Sequence, residues 1–419
     1  MATIEASAPT VTLGSPLTLP CGITVPNRIG KAPLSEQLGD RHNSPTEELN
    51  VLFSRWARGG SGLLITGNIM VDRRSVGEPR NVVIEDDRDL GKLAKWAAAA
   101  KSAGAPAIAQ INHPGRQALA GVATRFVAPS AVRVNIPGAP FPTPKALTHE
   151  EILEIIERFA TASKVCVDAG FDGVQLHGAH GYLVSQFLSP LVNKRDDEWG
   201  GDAERRRRFA LELATAMRAA VGPDKILSVK LNSADFQRGG FSEDESLEVI
   251  EALGDQGVDL LEVSGGTYEK PAMVGAAHRK SEEKKSERTK AREAYFLEFA
   301  ERARTITQMP LMVTGGLRSA QAMQEALSEG IDMVGLGRPV CLEPDLPGRL
   351  IADANTTSAF RPIRTGVKLL DPPADLWWNN IQMHRLAAGK QPRKHLTGWE
   401  SVGHALVRDG INAIRRKRS

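Results

Sequence analysis

Cysteine is scarce in this 419-residue chain: Cys21, Cys166 and Cys341 are its three, odd in number and far apart. With no CxxC pair, neither a disulfide framework nor a cysteine-based metal or iron–sulfur centre is indicated. Cys166 falls on the apolar side of a predicted helix and reads as core. Excess charge of one sign is also lacking. Against 50 acidic residues stand 53 basic ones, a net charge of +3, so no overall field points to nucleic acid. No uninterrupted apolar run approaches ~18 residues, and no basic segment followed by an apolar one opens the chain. The expectation is a reduced, cytoplasmic protein with neither a membrane nor a nucleic-acid partner. A GxGxxG turn near the start, usual in doubly wound sheets, is missing too.

What is present is ordinary in amount and ordered in pattern. Apolar residues make up 41% and charged ones 25%, enough for a sizeable soluble core. Leu17 to Ile29 predicts a hairpin that closes the bottom of a larger fold. Short apolar runs then centre on Ile29–Ala32, Leu63–Thr66, Ala107–Ile111, Val174–Leu176, Leu227–Leu231, Leu260–Val263, Leu311–Thr314 and Met333–Leu336. Helical stretches alternate with them, among them 87–103, 204–220 and 292–307. The clearest is 149–169, where Ile152, Ile155, Ile156 and Phe159 share one face and Thr148 precedes Glu151 at capping-box spacing. Strand then helix, eight times, predicts an α/β chain folded as a (β/α)8 TIM barrel. The predicted division is a barrel with its hairpin cap over 1–355 and a C-terminal helical extension with a basic tail over 356–419.

Four segments fall outside that rhythm. Ala118 to Leu147, rich in proline and glycine, predicts a long loop over the mouth. His278 to Arg292 is a mixed-sign charge run, read as a solvated flap, with a phosphate-contacting lid as the alternative. Trp377 and Trp378 are either core or the interface of a homo-oligomer. Arg415 to Arg418 reads as a solvated basic tail.

A barrel gathers function at the C-terminal ends of its strands. The residues just past each apolar run are Ser35, Gly67 and Asn68, Gln110 to His113, His177 to Tyr182, Lys230 and Asn232, Ser264 to Gly266, Gly315 to Arg318, and Gly337 with Arg338. Nearly every strand ends in polar residues or glycine, which predicts one shared site. The glycine loops after the seventh and eighth strands suit a phosphate, with Arg318 and Arg338 as added donors. His177 and His180 have three readings: metal ligands with His113 as a third, satisfied imidazoles at the rim, or two donors converging on one oxygen. Tyr182 is one of only three tyrosines and is protonated at neutral pH, so beside that pair it suits a proton donor. Lys230 interrupts an apolar strand and needs an anion, either a barrel carboxylate or a cofactor that becomes negative. Gln110 carries donors and an acceptor that suit an imide-like edge.

Taken as an ordered set, PNRIGKAPLS, QINHPGRQ, HGAHGYLVSQFLSPLVNKRDDEWGG, VKLNSADF, VTGG and GLGRP resemble the Old Yellow Enzyme family from about Leu17 to Pro344. The resemblance implies a barrel holding FMN at its mouth, with NADPH or NADH as hydride donor and an enone-type small molecule as substrate. Carried over, Pro33, Leu34 and Ser35 would lie along the isoalloxazine, with Asn68 also on the cofactor side. Gln110 would bind the pyrimidine edge, and Lys230, where relatives commonly have Arg, the part of the ring that becomes negative on reduction. Gly315, Gly316, Gly337 and Arg338 would take the phosphate. His177 and His180 would hold the substrate's carbonyl or nitro oxygen, and Tyr182 would protonate the α-carbon, in a ping-pong ene reduction with no metal. Gln37 stands near a position where some relatives place a substrate-contacting Tyr, so it joins the substrate-binding set. The same flavin site could instead oxidise an amine or desaturate a substrate, and a flavin-free phosphate-binding lyase is the more distant alternative.

Overall fold

Along a strand, successive side chains point to opposite faces, and here the apolar ones sort into two buried populations. In the computed structural model, which describes residues 11–136, 139–264, 295, 298–367 and 370–416, Leu63, Ile65, Ile108, Ile226, Leu260, Met312 and Met333 form an inner cluster. Their strand neighbours Leu64, Ala109, Val174, Leu227, Leu261, Val313 and Val334 belong to a larger cluster shared with the helices. One face of each strand therefore fills a barrel and the other packs outward.

The strands that carry this pattern are β1 (Ile29–Lys31), β2 (Leu63–Ile65), β3 (Ala107–Asn112), β4 (Gly173–Gly178), β5 (Ile226–Asn232), β6 (Leu260–Ser264), β7 (Leu311–Thr314) and β8 (Met333–Leu336). Each pairs in parallel with the next, and β8 pairs with β1 to close the ring. The fold is the expected (β/α)8 barrel. Leu17–Thr18 pairs antiparallel with Thr24–Val25, and Leu19 and Val25 join the inner cluster, so the hairpin caps the barrel floor.

Helices α1 (Glu47–Arg58), α2 (Leu90–Ala100), α3 (His149–Asp168), α4 (Ala203–Val221), α5 (Glu243–Gly254) and α6 (Ala320–Ser328) flank the strands. The start of α3 follows from its capping box: Thr148 Oγ1 accepts from the Glu151 N–H at 3.2 Å, and the Glu151 carboxylate accepts from the Thr148 N–H at 3.0 Å. Cys166 on α3 is buried, as its position on the apolar face requires. The start of α2 lies later than the apolar pattern suggests, because a turn with the Leu90 N–H on the Asp87 carbonyl precedes it. The 118–147 stretch is less irregular than expected: Val127–Ala128 and Lys145–Ala146 pair in parallel. Two-residue ladders carry too little periodicity to be read from sequence. The charged run His278–Arg292 lies outside the described residues. Among the described residues, no helix is long and apolar enough to cross a membrane.

After the barrel come α7 (Asp371–Ala387) and α8 (Gly398–Arg416). Trp378 on α7 is 1% exposed, packs with Leu342, Phe360 and Leu396, and donates its indole N–H to the Leu396 carbonyl at 2.8 Å. It is a core residue, while Trp377 is only half-buried. Trp378→Ala is expected to cost about 3–5 kcal/mol of stability, because it leaves a large cavity and an unpaired carbonyl. A urea midpoint unchanged from wild type would contradict that packing. Helix α7 also reaches the barrel mouth: Asn380 Nδ2 donates to the Ser35 carbonyl at 3.0 Å, and His384 Nε2 to the Glu36 carbonyl at 2.9 Å.

Candidate active site

The stretch after β4 concentrates the reactive side chains. Parity along β4 turns Gln175 and His177 inward. The chain then passes through His180 at φ +62° and Gly181 at φ +76°, two consecutive left-handed residues, before the Leu183–Leu188 helix. Glycine adopts that conformation freely, but a histidine does so at a cost, which is common where a side chain must be aimed. The His180 backbone N–H is held by Asn232 Oδ1 at 3.2 Å.

These turns bring three rings together. His177 and His180 lie edge to face with centroids 5.1 Å apart, and His177 meets Tyr182 in the same way at 4.9 Å. The Ala179 N–H donates to His177 Nδ1 at 3.3 Å, so Nδ1 is an acceptor and the ring proton sits on Nε2. His180 Nε2 is 2.8 Å from Ser264 Oγ at the end of β6. Burial, with the Lys230 cation adding to it, holds both imidazoles well below the usual histidine range. At neutral pH the pair is uncharged, with the His177 tautomer fixed. Tyr182 is buried, and Asn68 Nδ2 donates to its hydroxyl oxygen at 3.4 Å.

His113, the third ligand of the metal reading, takes the Gly115 N–H on its own Nδ1 at 3.0 Å. Among the described residues, no group of three or more His, Cys, Asp or Glu side chains is arranged to hold a metal ion. Burial pushes His113 down to about 4. A histidine whose folded value lies below its unfolded one destabilises the fold as it is forced to charge. Stability is therefore expected to fall as the pH drops from about 6.5 to about 4, by about 3 kcal/mol from His113 alone. His177 and His180 act in the same direction. Urea midpoints across that window test this; a flat profile, or one that His113→Gln does not flatten, would contradict it.

Beneath the rings the barrel interior is polar. Lys230 Nζ donates to Glu262 Oε1 at 2.7 Å, and the two residues sit opposite each other in the β5–β6 register. Gln175 Nε2 donates to Glu262 Oε2 at 3.0 Å and to Ser228 Oγ at 3.1 Å, and Gln110 Nε2 donates to Gln175 Oε1 at 2.8 Å. The anion that Lys230 requires is thus a barrel carboxylate. Glu262 and Gln175 were absent from the sequence-derived set, although each interrupts an apolar strand at inward parity as Lys230 does.

The loop after β1 holds Pro33, Leu34, Ser35 and Gln37, all partly exposed, with Gln37 at φ +54°. Its course is set by the buried pair below it. Lys31 Nζ donates to the Ile65 carbonyl at 2.8 Å and lies 3.4 Å from Glu36 Oε1, which also accepts the Gly67 N–H at 2.9 Å. The Lys31 ammonium sits 4.3 Å from the Trp56 ring centroid, which offsets part of its burial. One carboxylate therefore ties the β1 loop carrying Ser35 to the β2 loop carrying Asn68. The Ser35 hydroxyl donates to the Glu78 carboxylate.

At the far rim, Gly315 and Gly316 have φ of +126° and +85°, and a side chain at Gly315 would meet nothing within 4 Å. Thr314 Oγ1, just before them, is buried with no hydrogen-bond partner among the described residues. Gly335 on β8 lets it sit there, since a Cβ at that position would lie 2.0 Å from this oxygen. Arg338 is oriented by buried Asp375 of α7, Nη1 to Oδ2 at 2.6 Å, and both Arg318 and Arg338 lie 5.6 Å from the Phe360 ring centroid. An open glycine turn, an orphan hydroxyl and two guanidiniums suit a phosphate group. Together with Gln110 and Lys230 inside the barrel and Ser35 on the loop after β1, these groups suit FMN.

Residues 12–356 match the model of a family described as the NADH:flavin oxidoreductase / NADH oxidase family. The NADH-dependent flavin oxidoreductase iliE of Hypocrea jecorina is 35% identical over 352 residues, covering 79% of this chain and 87% of that protein. Its namesake from Neonectria sp. is 34% identical over 417 residues, 91% of this chain; the chain spans only 54% of that longer relative. Among solved structures, an old yellow enzyme homologue from Zymomonas mobilis superposes with a TM-score of 0.68 at 25% identity, covering 83% of this chain and 95% of that one.

Proposed function

The chain belongs to the NADH:flavin oxidoreductase / NADH oxidase family, as its Old Yellow Enzyme motifs indicate, and on that premise we propose that it reduces the activated C=C bond of α,β-unsaturated carbonyl or nitro compounds at the expense of NADH or NADPH. The observation that carries this reading is the neutral His177–His180 pair with Tyr182 against it.

FMN, when bound, supplies the centre that accepts hydride from the nicotinamide and delivers it to the substrate. Pro33, Leu34, Ser35, Asn68, Gln110 and Lys230 are the residues proposed to hold its ring, and Gly315, Gly316, Gly337 and Arg338 its phosphate. Gln37 lies toward the substrate. His177 donates Nε2–H to the substrate's carbonyl or nitro oxygen, and His180 is the second donor. Two neutral donors aimed at one oxygen stabilise the negative charge that develops on it and make the β-carbon electron-poor. Neutrality matters here, because an imidazolium would itself surrender a proton to that oxygen. Tyr182 then gives its proton to the α-carbon. The Asn68 N–H on the phenol oxygen stabilises the tyrosinate left behind, which makes the transfer less costly.

With one pocket serving nicotinamide and enone in turn, the kinetics are ping-pong. Anaerobic assays with 2-cyclohexenone are expected to yield the saturated ketone in step with nicotinamide oxidation, with parallel double-reciprocal plots for either nicotinamide. Intersecting plots would contradict the shared pocket, and no saturated product would contradict the substrate class.

A further inference from the structure

The interior network contains a residue to which no part of the proposed chemistry assigns a role. Glu262 is fully buried in the middle of the barrel, and both its oxygens are engaged, Oε1 by Lys230 at 2.7 Å and Oε2 by Gln175 at 3.0 Å. We propose that Glu262 is a positioning residue for the cofactor ring: through Gln175 it sets which edge Gln110 presents, and through Lys230 it restrains the positive charge offered to the ring. This rests on the FMN reading of the site.

An ionised carboxylate only accepts hydrogen bonds. Gln175 must therefore turn its NH2 toward Glu262, which leaves Gln175 Oε1 facing Gln110. Gln110 must in turn give an N–H to that oxygen, and does so at 2.8 Å. The two ends of an amide are nearly equal in size, so packing alone does not choose between them. Here a carboxylate two side chains away chooses. What Gln110 keeps for the cofactor is its carbonyl oxygen and one N–H, an acceptor beside a donor, matching the complementary pair on an imide edge.

Lys230 is 3% exposed and Glu262 fully buried, so neither is screened by solvent. A ring that becomes negative on reduction is stabilised by the Lys230 ammonium and opposed by the carboxylate 2.7 Å from it. Glu262 thus cancels much of the field that Lys230 offers the ring. Register puts the two side by side, with Lys230 opposite Glu262 in the β5–β6 ladder.

The test uses FMN-loaded enzyme in equilibrium with a reference redox dye. At the potential where wild type is half reduced, Glu262→Gln is expected to shift the ratio of reduced to oxidised flavin at least ~10-fold toward reduced, equivalent to ~30 mV for a two-electron couple. Lys230→Gln alone should shift the ratio the other way, toward oxidised, because the cation that favours a negative ring is gone while the carboxylate stays. Glu262→Asp, which keeps the fold's buried charge but withdraws it from Lys230, should shift the ratio toward reduced, by less than Glu262→Gln does. Gln175→Leu leaves the ion pair intact and should weaken FMN binding, read by fluorescence, about tenfold. An unshifted ratio in Glu262→Gln or Glu262→Asp, a Lys230→Gln ratio unshifted or moved toward reduced, or unchanged FMN affinity in Gln175→Leu would each overturn the proposal. A protein that takes up no FMN would instead contradict the family's cofactor, so the two failures are distinct.

Discussion

Tyr182→Phe is expected to slow oxidation of the reduced enzyme by 2-cyclohexenone ~10²–10⁴-fold, the usual worth of a positioned general acid, while the rate at which NADH bleaches the flavin changes less than ~2-fold. The asymmetry follows from what the phenol does. Nicotinamide oxidation needs no proton delivered to carbon, whereas saturating an enone does. Tyr182 is buried against the His177 ring at 4.9 Å, and phenylalanine fills the same space, so packing is kept while the hydroxyl and its contact with Asn68 are lost. Stopped-flow traces of the two half-reactions separate the cases. Equal losses in both would mean that Tyr182 shapes the pocket rather than supplying a proton.

The second large effect is expected for His177→Ala: a loss of ~10²–10³-fold in enone reduction, as for removal of one oxyanion donor. Phenolates, which mimic the substrate oxygen, should bind more weakly to a comparable degree, visible in the titration of the long-wavelength band they form with the flavin. Part of the cost lies in the protein itself, because the Ala179 N–H loses its acceptor on His177 Nδ1. His177→Asn restores a donor and is expected to recover part of the phenolate affinity. Phenolate binding unchanged in His177→Ala would remove the oxygen-binding role from this pair.

How much of this was legible in sequence varies with the physical origin of each feature. The eight barrel strands were legible because each carries a short, mostly apolar run, and parity within a run tells which residues face inward. His177 and Tyr182 were legible because the polar cluster after Leu176 begins where the run ends. The partner of Lys230 was not. Glu262 lies in the next strand, 32 residues on, and only the β5–β6 register decides that the two meet. The Gln110–Gln175 contact likewise depends on β3 and β4 pairing, with Gln110 opposite Gln175. Sequence placed Gly315, Gly316 and Gly337 in loops but could not foresee that Asp375, on a helix after the barrel, would orient Arg338. Nor could it foresee Asn380 and His384 of the same helix gripping the Ser35 and Glu36 carbonyls. The last two are tertiary contacts between residues more than 300 apart in sequence, and no local pattern encodes any of the three. The His177 tautomer was hidden for a subtler reason, since one backbone N–H just past the strand, that of Ala179, decides it.

The most direct test is a single anaerobic absorbance experiment on the purified protein reconstituted with FMN. The flavin band should bleach on addition of NADH or NADPH and return when 2-cyclohexenone follows, with one saturated ketone formed per flavin. A flavin that bleaches and stays bleached in the presence of enone would contradict the assignment of His177, His180 and Tyr182 to ene reduction.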